Sequence, residues 1–150
     1  MKSLNQYINE KLKVSKNQYN YCPQTNEELY DLLKQLLKER GLEADLNDID
    51  VSNITNMTGL FSFTRFNGDI SDWDVSNVTN MNSMFYWCKK FKGKGLENWD
   101  VSNVTNMRKM FYECENLDCD LSKWDISNVY YYDDIFFKCP IKDEYKPKFR

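Results

Sequence analysis

The residues with the most obvious chemical potential in this 150-residue chain are a recurring Asp-Ser pair and five cysteines; histidine is absent. Without imidazole, the commonest general base, the commonest metal ligand and every Ser-His or Cys-His nucleophilic pair are missing. The Asp-Ser pair forms a ladder: Asp50 and Ser52, Asp74 and Ser76, Asp100 and Ser102, Asp125 and Ser127. Stacked carboxylates could offer oxygens to Ca²⁺ or form a polar recognition surface. The same residue types also bond neighbouring backbone amides to fix turns. Their presence in every copy favours this structural role, because a specific site would vary from copy to copy. Among Cys22, Cys88, Cys114, Cys119 and Cys139 there is no Cys-x-x-Cys, and the solitary Cys114/Cys119 pair has no partners at zinc spacing. Gly93 and Gly95 lack the strand-to-helix context of a phosphate loop. The expectation is a non-enzyme with no catalytic residue, no metal and no cofactor.

The ladder belongs to a longer repeat. The string Asp-[Val/Ile]-Ser-Asn-[Ile/Val] starts at Asp50, Asp74, Asp100 and Asp125, at spacings of 24, 26 and 25 residues. With each Asp as position 0, apolar residues fill eight columns, at −4, −1, +1, +4, +7, +10, +11 and +14. Column −1 holds Ile49, Trp73, Trp99 and Trp124, and column +11 is Phe61, Phe85, Phe111 and Phe136. Columns −1 and +1 alternate about a polar residue, which is strand spacing, whereas +7, +10, +11 and +14 form the i, i+3, i+4, i+7 stripe of a short helix. Thr55, Thr79 and Thr105 at +5 sit where an N-cap belongs. Cys88, Cys114 and Cys139 share column +14, where a thiol packs as a small hydrophobe. The pattern predicts an α/β fold: four strand-helix repeats stacked as a solenoid, since no single unit can bury its own Trp, Met and Phe.

Flanking segments complete the expected organisation. Residues 25–40 carry Leu29, Leu32, Leu33, Leu36 and Leu37 on one face, with a Thr25/Glu28 capping box and Gly41 as the stop. The predicted divisions are an N-terminal arm at 1–21, a capping helix within 22–45, four repeats at 46–139 and a polar tail at 140–150. In the arm, Leu4, Tyr7, Ile8 and Leu12 give a weak amphipathic helix. A hydrophobic fraction of 41% supports a packed core, and a net charge of −3 gives no global case for nucleic acid or an anionic membrane. The run Lys89, Lys90, Lys92, Lys94 reads as a solvated loop. No stretch approaches the roughly 18 apolar residues of a membrane span, and the first residues lack a signal-peptide apolar region, so a cytoplasmic protein is expected.

The motif Trp-Asp-Val-Ser-Asn-Val-Thr-Asn-Met-x-x-Met-Phe-x-x-Cys, as at residues 73–88, resembles the BspA-like leucine-rich repeat also found in mycoplasma-type surface lipoproteins. The resemblance spans about residues 46–139. It implies a right-handed leucine-rich-repeat-like solenoid used for adhesion or protein binding, with no catalytic residues to carry over. Small members in bacteriophage genomes imply an alternative: a phage or mobile-element accessory protein, virion-associated and docked through its N-terminal arm. The primary expectation is a non-catalytic module that binds another protein. Its contact residues are expected off the buried stripe, at Tyr86, Trp87, Arg108, Lys109 and Tyr112, where the repeat leaves residue type unconstrained and aromatic and Arg side chains concentrate binding energy.

Overall fold

Four-residue turns, not helices, occupy positions +7 to +14 of every repeat. The computed structural model describes residues 2–4, 6 and 19–149, so Tyr7, Ile8 and Leu12 of the expected arm helix lie outside the described residues. Each repeat makes four turns closed by the fourth N–H donating to the first C=O. In the second repeat these are Trp73 to Ile70 (3.2 Å), Val78 to Val75 (2.9 Å), Met84 to Met81 (3.2 Å) and Cys88 to Phe85 (2.9 Å), and the same four bonds recur in the other repeats. The eight apolar columns are the first and last corners of these turns. Corners face inward: every column position is buried except Thr64, Tyr132, Phe136 and Cys139. Two turns end to end reproduce the i, i+3, i+4, i+7 spacing of a helical face, and this is why the sequence reads as a helix.

The hydrogen-bond pattern excludes that helix. Backbone N–H groups of Met81, Ser83, Phe85 and Trp87 donate to Asn106, Arg108, Met110 and Tyr112 of the next repeat at 2.8–2.9 Å. A helix capped at Thr79 would keep the Ser83, Phe85 and Trp87 donors for its own carbonyls four residues back. Ser83 and Trp87 also hold φ of 56° and 59°, a left-handed conformation that an α-helix cannot contain. The −1/+1 alternation likewise spans the end of one turn and the start of the next, and the ladder contacts between repeats are isolated parallel bridges, Asp45 with Asp69 and a chain through Asn56, Asn80, Asn106 and Tyr131, not strands. Among the described residues there is one α-helix of useful length, two 3-10 turns (Leu96–Asn98 and Asp143–Tyr145) and no strand. The expected α/β class and its leucine-rich-repeat-like strand-helix solenoid are therefore corrected. The threonines at +5 are not helix caps either: Thr105 donates both its N–H (2.8 Å) and its hydroxyl (3.2 Å) to the C=O of Thr79 in the repeat before.

Side chains that look merely repetitive supply the links between repeats. Asn77, Asn103 and Asn128 each donate Nδ2–H to the serine C=O of the preceding repeat at 2.7 Å. The indole N–H of Trp73, Trp99 and Trp124 reaches the C=O of Leu46, Ile70 and Leu96 at 2.9, 3.1 and 2.8 Å inside the core. Phe61, Phe85, Phe111 and Phe136 stack in a column with centroids 5.5–5.7 Å apart and planes within 2°. Trp99→Phe removes the indole bond and part of a buried ring, while the Ile70 carbonyl keeps the Trp73 N–H, so a urea melt should show a loss of about 1–3 kcal/mol from the lost bond and the space left behind. An unchanged midpoint would contradict the role of the indole bond.

Helix α1, Asn26–Arg40, lies against the first repeat. Thr25 Oγ1 accepts from Glu28 N–H, Glu28 accepts in turn from Gln24 N–H, and Gly41 ends the helix at φ 90°. Its Leu29, Leu32, Leu33 and Leu36 join the core of the repeats. Both ends are tied down. Asn26 donates to the C=O of Asn56 at 2.6 Å, and Arg40 makes two 2.9 Å bonds to the Asp48 carboxylate. Burial works against the charged Asp48, but the hydrogen bonds from Arg40 and Asn20 outweigh it and hold its pKa below the usual range.

Candidate interaction surface

The Asp-Ser ladder is occupied internally. Asp100 Oδ1 accepts from both the N–H (3.0 Å) and the hydroxyl (2.6 Å) of Ser102. Asp50 and Asp74 bind Ser52 and Ser76 in the same way, and Asp125 accepts the Ser127 N–H. Hydrogen bonds from Ser102 and Ser127 hold the Asp100 and Asp125 carboxyls below the ordinary range. These bonds fix the start of the turn at position +1. The thiols are equally committed. Burial pushes Cys88 up to about 11 and Cys119 up to about 12, and raises Cys114 as well, so they remain protonated. Among the described residues no group of three or more His, Cys, Asp or Glu could hold a metal ion.

If turn corners face the core, turn tips face outward, and the tip of the last turn, at +12 and +13, carries the aromatics. Tyr86 stacks on Tyr112 at 4.9 Å, and Tyr112 on Phe137 at 4.7 Å. Phe63 meets Tyr86 edge-on at 5.3 Å and stacks beside Trp87 at 6.2 Å. Cations overlie this run: Lys89 lies 4.4 Å from the Trp87 ring centroid, Lys109 5.8 Å from Tyr112 and Lys138 5.5 Å from Phe137. Of the five residues singled out by sequence, Tyr86, Lys109 and Tyr112 are brought together directly. Trp87 is tied to Tyr112 through its backbone N–H (2.8 Å), while its ring turns to Phe63. Arg108 lies beside Asp133 instead, with Nε 3.8 Å from the carboxylate in an exposed pair. Phe63, Phe137 and Lys89 were not singled out, although the first two occupy the same tip columns as Trp87 and Tyr112.

The tip at +13 has left-handed φ in all four repeats: Phe63 (57°), Trp87 (59°), Glu113 (55°) and Lys138 (52°). A bulky residue there costs about 1–2 kcal/mol relative to an unstrained backbone. Folding alone would favour glycine, which does occupy the corresponding left-handed tip at +9 in the first repeat, Gly59. Phe63 is 72% exposed despite that cost. In the third repeat the tip is Glu113, buried and 3.3 Å from Lys138 and 3.9 Å from Lys89, which also bonds Glu115 at 2.8 Å.

Residues 30–146, more than half of the chain, match the family model described as Mycoplasma protein of unknown function, DUF285. The chain belongs to the DUF285 family. The DUF285 match begins inside α1 and runs through all four repeats, so the ladder and the whole aromatic run fall within it, while residues 1–29 precede it. No curated protein and no solved structure matches the chain. No described helix is long and apolar enough to cross a membrane.

Proposed function

We propose that the chain is a non-catalytic protein-binding module whose contact surface is the outward run Phe63, Tyr86, Trp87, Tyr112 and Phe137 with its overlying lysines. The observation that carries this reading is a second aromatic stack. Stacking of the inner phenylalanines already holds successive repeats together, whereas the outer rings occupy turn tips that the fold does not require to be aromatic. Aromatic residues flanked by cations are the composition in which interface energy concentrates. The Asp-Ser ladder is the weaker candidate, because one oxygen of each carboxylate is held by its serine, and the Ser76 and Ser102 hydroxyls are spent on that bond. The likeness of the repeat motif to BspA-like repeats, used in that family for adhesion or protein binding, supports the same role without the strand-helix fold.

The test is affinity capture from a mycoplasma lysate, quantified by mass spectrometry. Trp87→Ala with Tyr112→Ala should weaken recovery of the partner at least about tenfold, or about 1.4 kcal/mol, with the thermal melt retained. The control is Ser76→Ala with Ser102→Ala. Loss of capture in that folded control, with none in the aromatic pair, would place the partner on the ladder and overturn the reading.

A further inference from the structure

One end of the aromatic run closes into a cleft of about 350 Å³, lined by Phe63, Arg65, Trp87, Lys89, Lys90 and Glu115 among others. Its apolar walls are the stacked Phe63 and Trp87 rings. Its polar groups are unequal in an informative way. Lys89, Lys138, Glu113 and Glu115 form a linked quartet with no net charge. Arg65 and Lys90 have no acidic partner among the described residues, so they leave two surplus positive charges at the cleft of a chain whose net charge is −3. The indole N–H adds another donor: Trp73, Trp99 and Trp124 each give theirs to a carbonyl, whereas Trp87 has no such acceptor among the described residues. Unmatched donors and cations beside aromatic walls select a ligand that brings acceptors, negative charge and an apolar side chain together.

We infer that this cleft receives an acidic segment of the partner protein, with carboxylates facing Arg65 and Lys90 and an aromatic or aliphatic side chain against Phe63 and Trp87. The inference rests on the protein-binding reading above and narrows it to a ligand class. A nucleic acid strand fits less well. It needs a continuous track of cations for successive phosphates, and beyond the cleft Lys138 and Arg108 are already offset by Glu113 and Asp133.

The probe is a fluorescein-labelled Glu-Glu-Tyr-Glu-Glu peptide, titrated with the intact chain at low salt and followed by anisotropy. Gln-Gln-Tyr-Gln-Gln serves as the neutral peptide and oligouridylate as the nucleic acid. The acidic peptide should bind at least about tenfold more tightly than the neutral one, and Arg65→Ala with Lys90→Ala should remove that advantage. Neither cation has an ion-pair partner among the described residues, so the melt of this variant should be unchanged. Lys34→Ala with Lys38→Ala, on α1, should leave peptide affinity as it was. Equal binding of the two peptides, no measurable binding of the acidic one, an equal loss in the α1 variant, or tighter binding of oligouridylate would each overturn the inference. Failure of the broader reading is distinguishable, because it appears as lysate capture that no longer depends on Trp87 and Tyr112.

Discussion

Phe111→Ala should lower the unfolding free energy by about 3–5 kcal/mol in urea melts, the range for truncating a fully buried phenylalanine. The ring is completely buried between Phe85 at 5.5 Å and Phe136 at 5.7 Å, with Trp124 tilted against it at 6.2 Å. Its backbone is anchored on both sides, because Phe85 N–H donates to Met110 and Phe111 N–H donates to Ile135. The cavity therefore cannot collapse by sliding one repeat toward the next, and most of the loss should persist. Phe136→Ala, in the half-buried end position, should cost less than half as much. A loss below about 0.5 kcal/mol for Phe111→Ala would mean that column +11 does not face the core.

The second large effect runs against the repeat pattern. Position −5 is Asp45, Asp69 and Asp120 in three repeats and Gly95 in the other, so the repeat alone suggests that Gly95→Asp would be harmless. It should instead destabilise by about 3 kcal/mol or more, through a left-handed backbone and overpacking together. Gly95 holds φ at 82°, and a Cβ there would lie 2.1 Å from the Ser71 Cβ and 2.9 Å from its Cα. The latter is backbone, which cannot swing aside. The local cause is the 26-residue spacing between Asp74 and Asp100, where Gly93 and Gly95 at positive φ let the longer segment return to register. Thermal melts of Gly95→Asp and of Ser122→Ala, a mild change at the Asp120 turn of the next repeat, separate this clash from a general sensitivity. A Gly95→Asp protein as stable as the parent would refute the close approach.

The two results bear on what a single sequence can reveal. Burial was legible: the spacing of Trp73, Val75, Val78, Met81, Met84, Phe85 and Cys88 marks inward-facing positions, and those seven residues are buried. The element carrying them was not, because a helix and two tandem turns share the i, i+3, i+4, i+7 spacing. Discriminating signs are nevertheless present. Asn at +6 opens a turn in three repeats, with the Asn80 and Asn106 side chains accepting the N–H two residues on, and Gly59 marks a left-handed tip. An eight-residue stripe is also short for a helix, which needs about 12–15 residues before it is even marginal alone. At the surface, the outward placement of Tyr86 and Tyr112 followed from their lying off the stripe. The pairing of Phe63 with Trp87 was equally open to that reasoning, because both occupy column +13 of adjacent repeats; only the left-handed φ that turns both tips outward is invisible in the spacing.

The contact surface itself can be read by photocrosslinking. A benzoylphenylalanine placed at position 63 replaces one exposed aromatic with another, and one at position 127, an exposed ladder position, gives up the serine hydroxyl but keeps the backbone N–H bond to Asp125. Irradiation in the presence of the captured partner should give a covalent adduct from position 63 and little or none from position 127. Adducts from position 127 with none from position 63 would contradict the aromatic turn tips as the binding face.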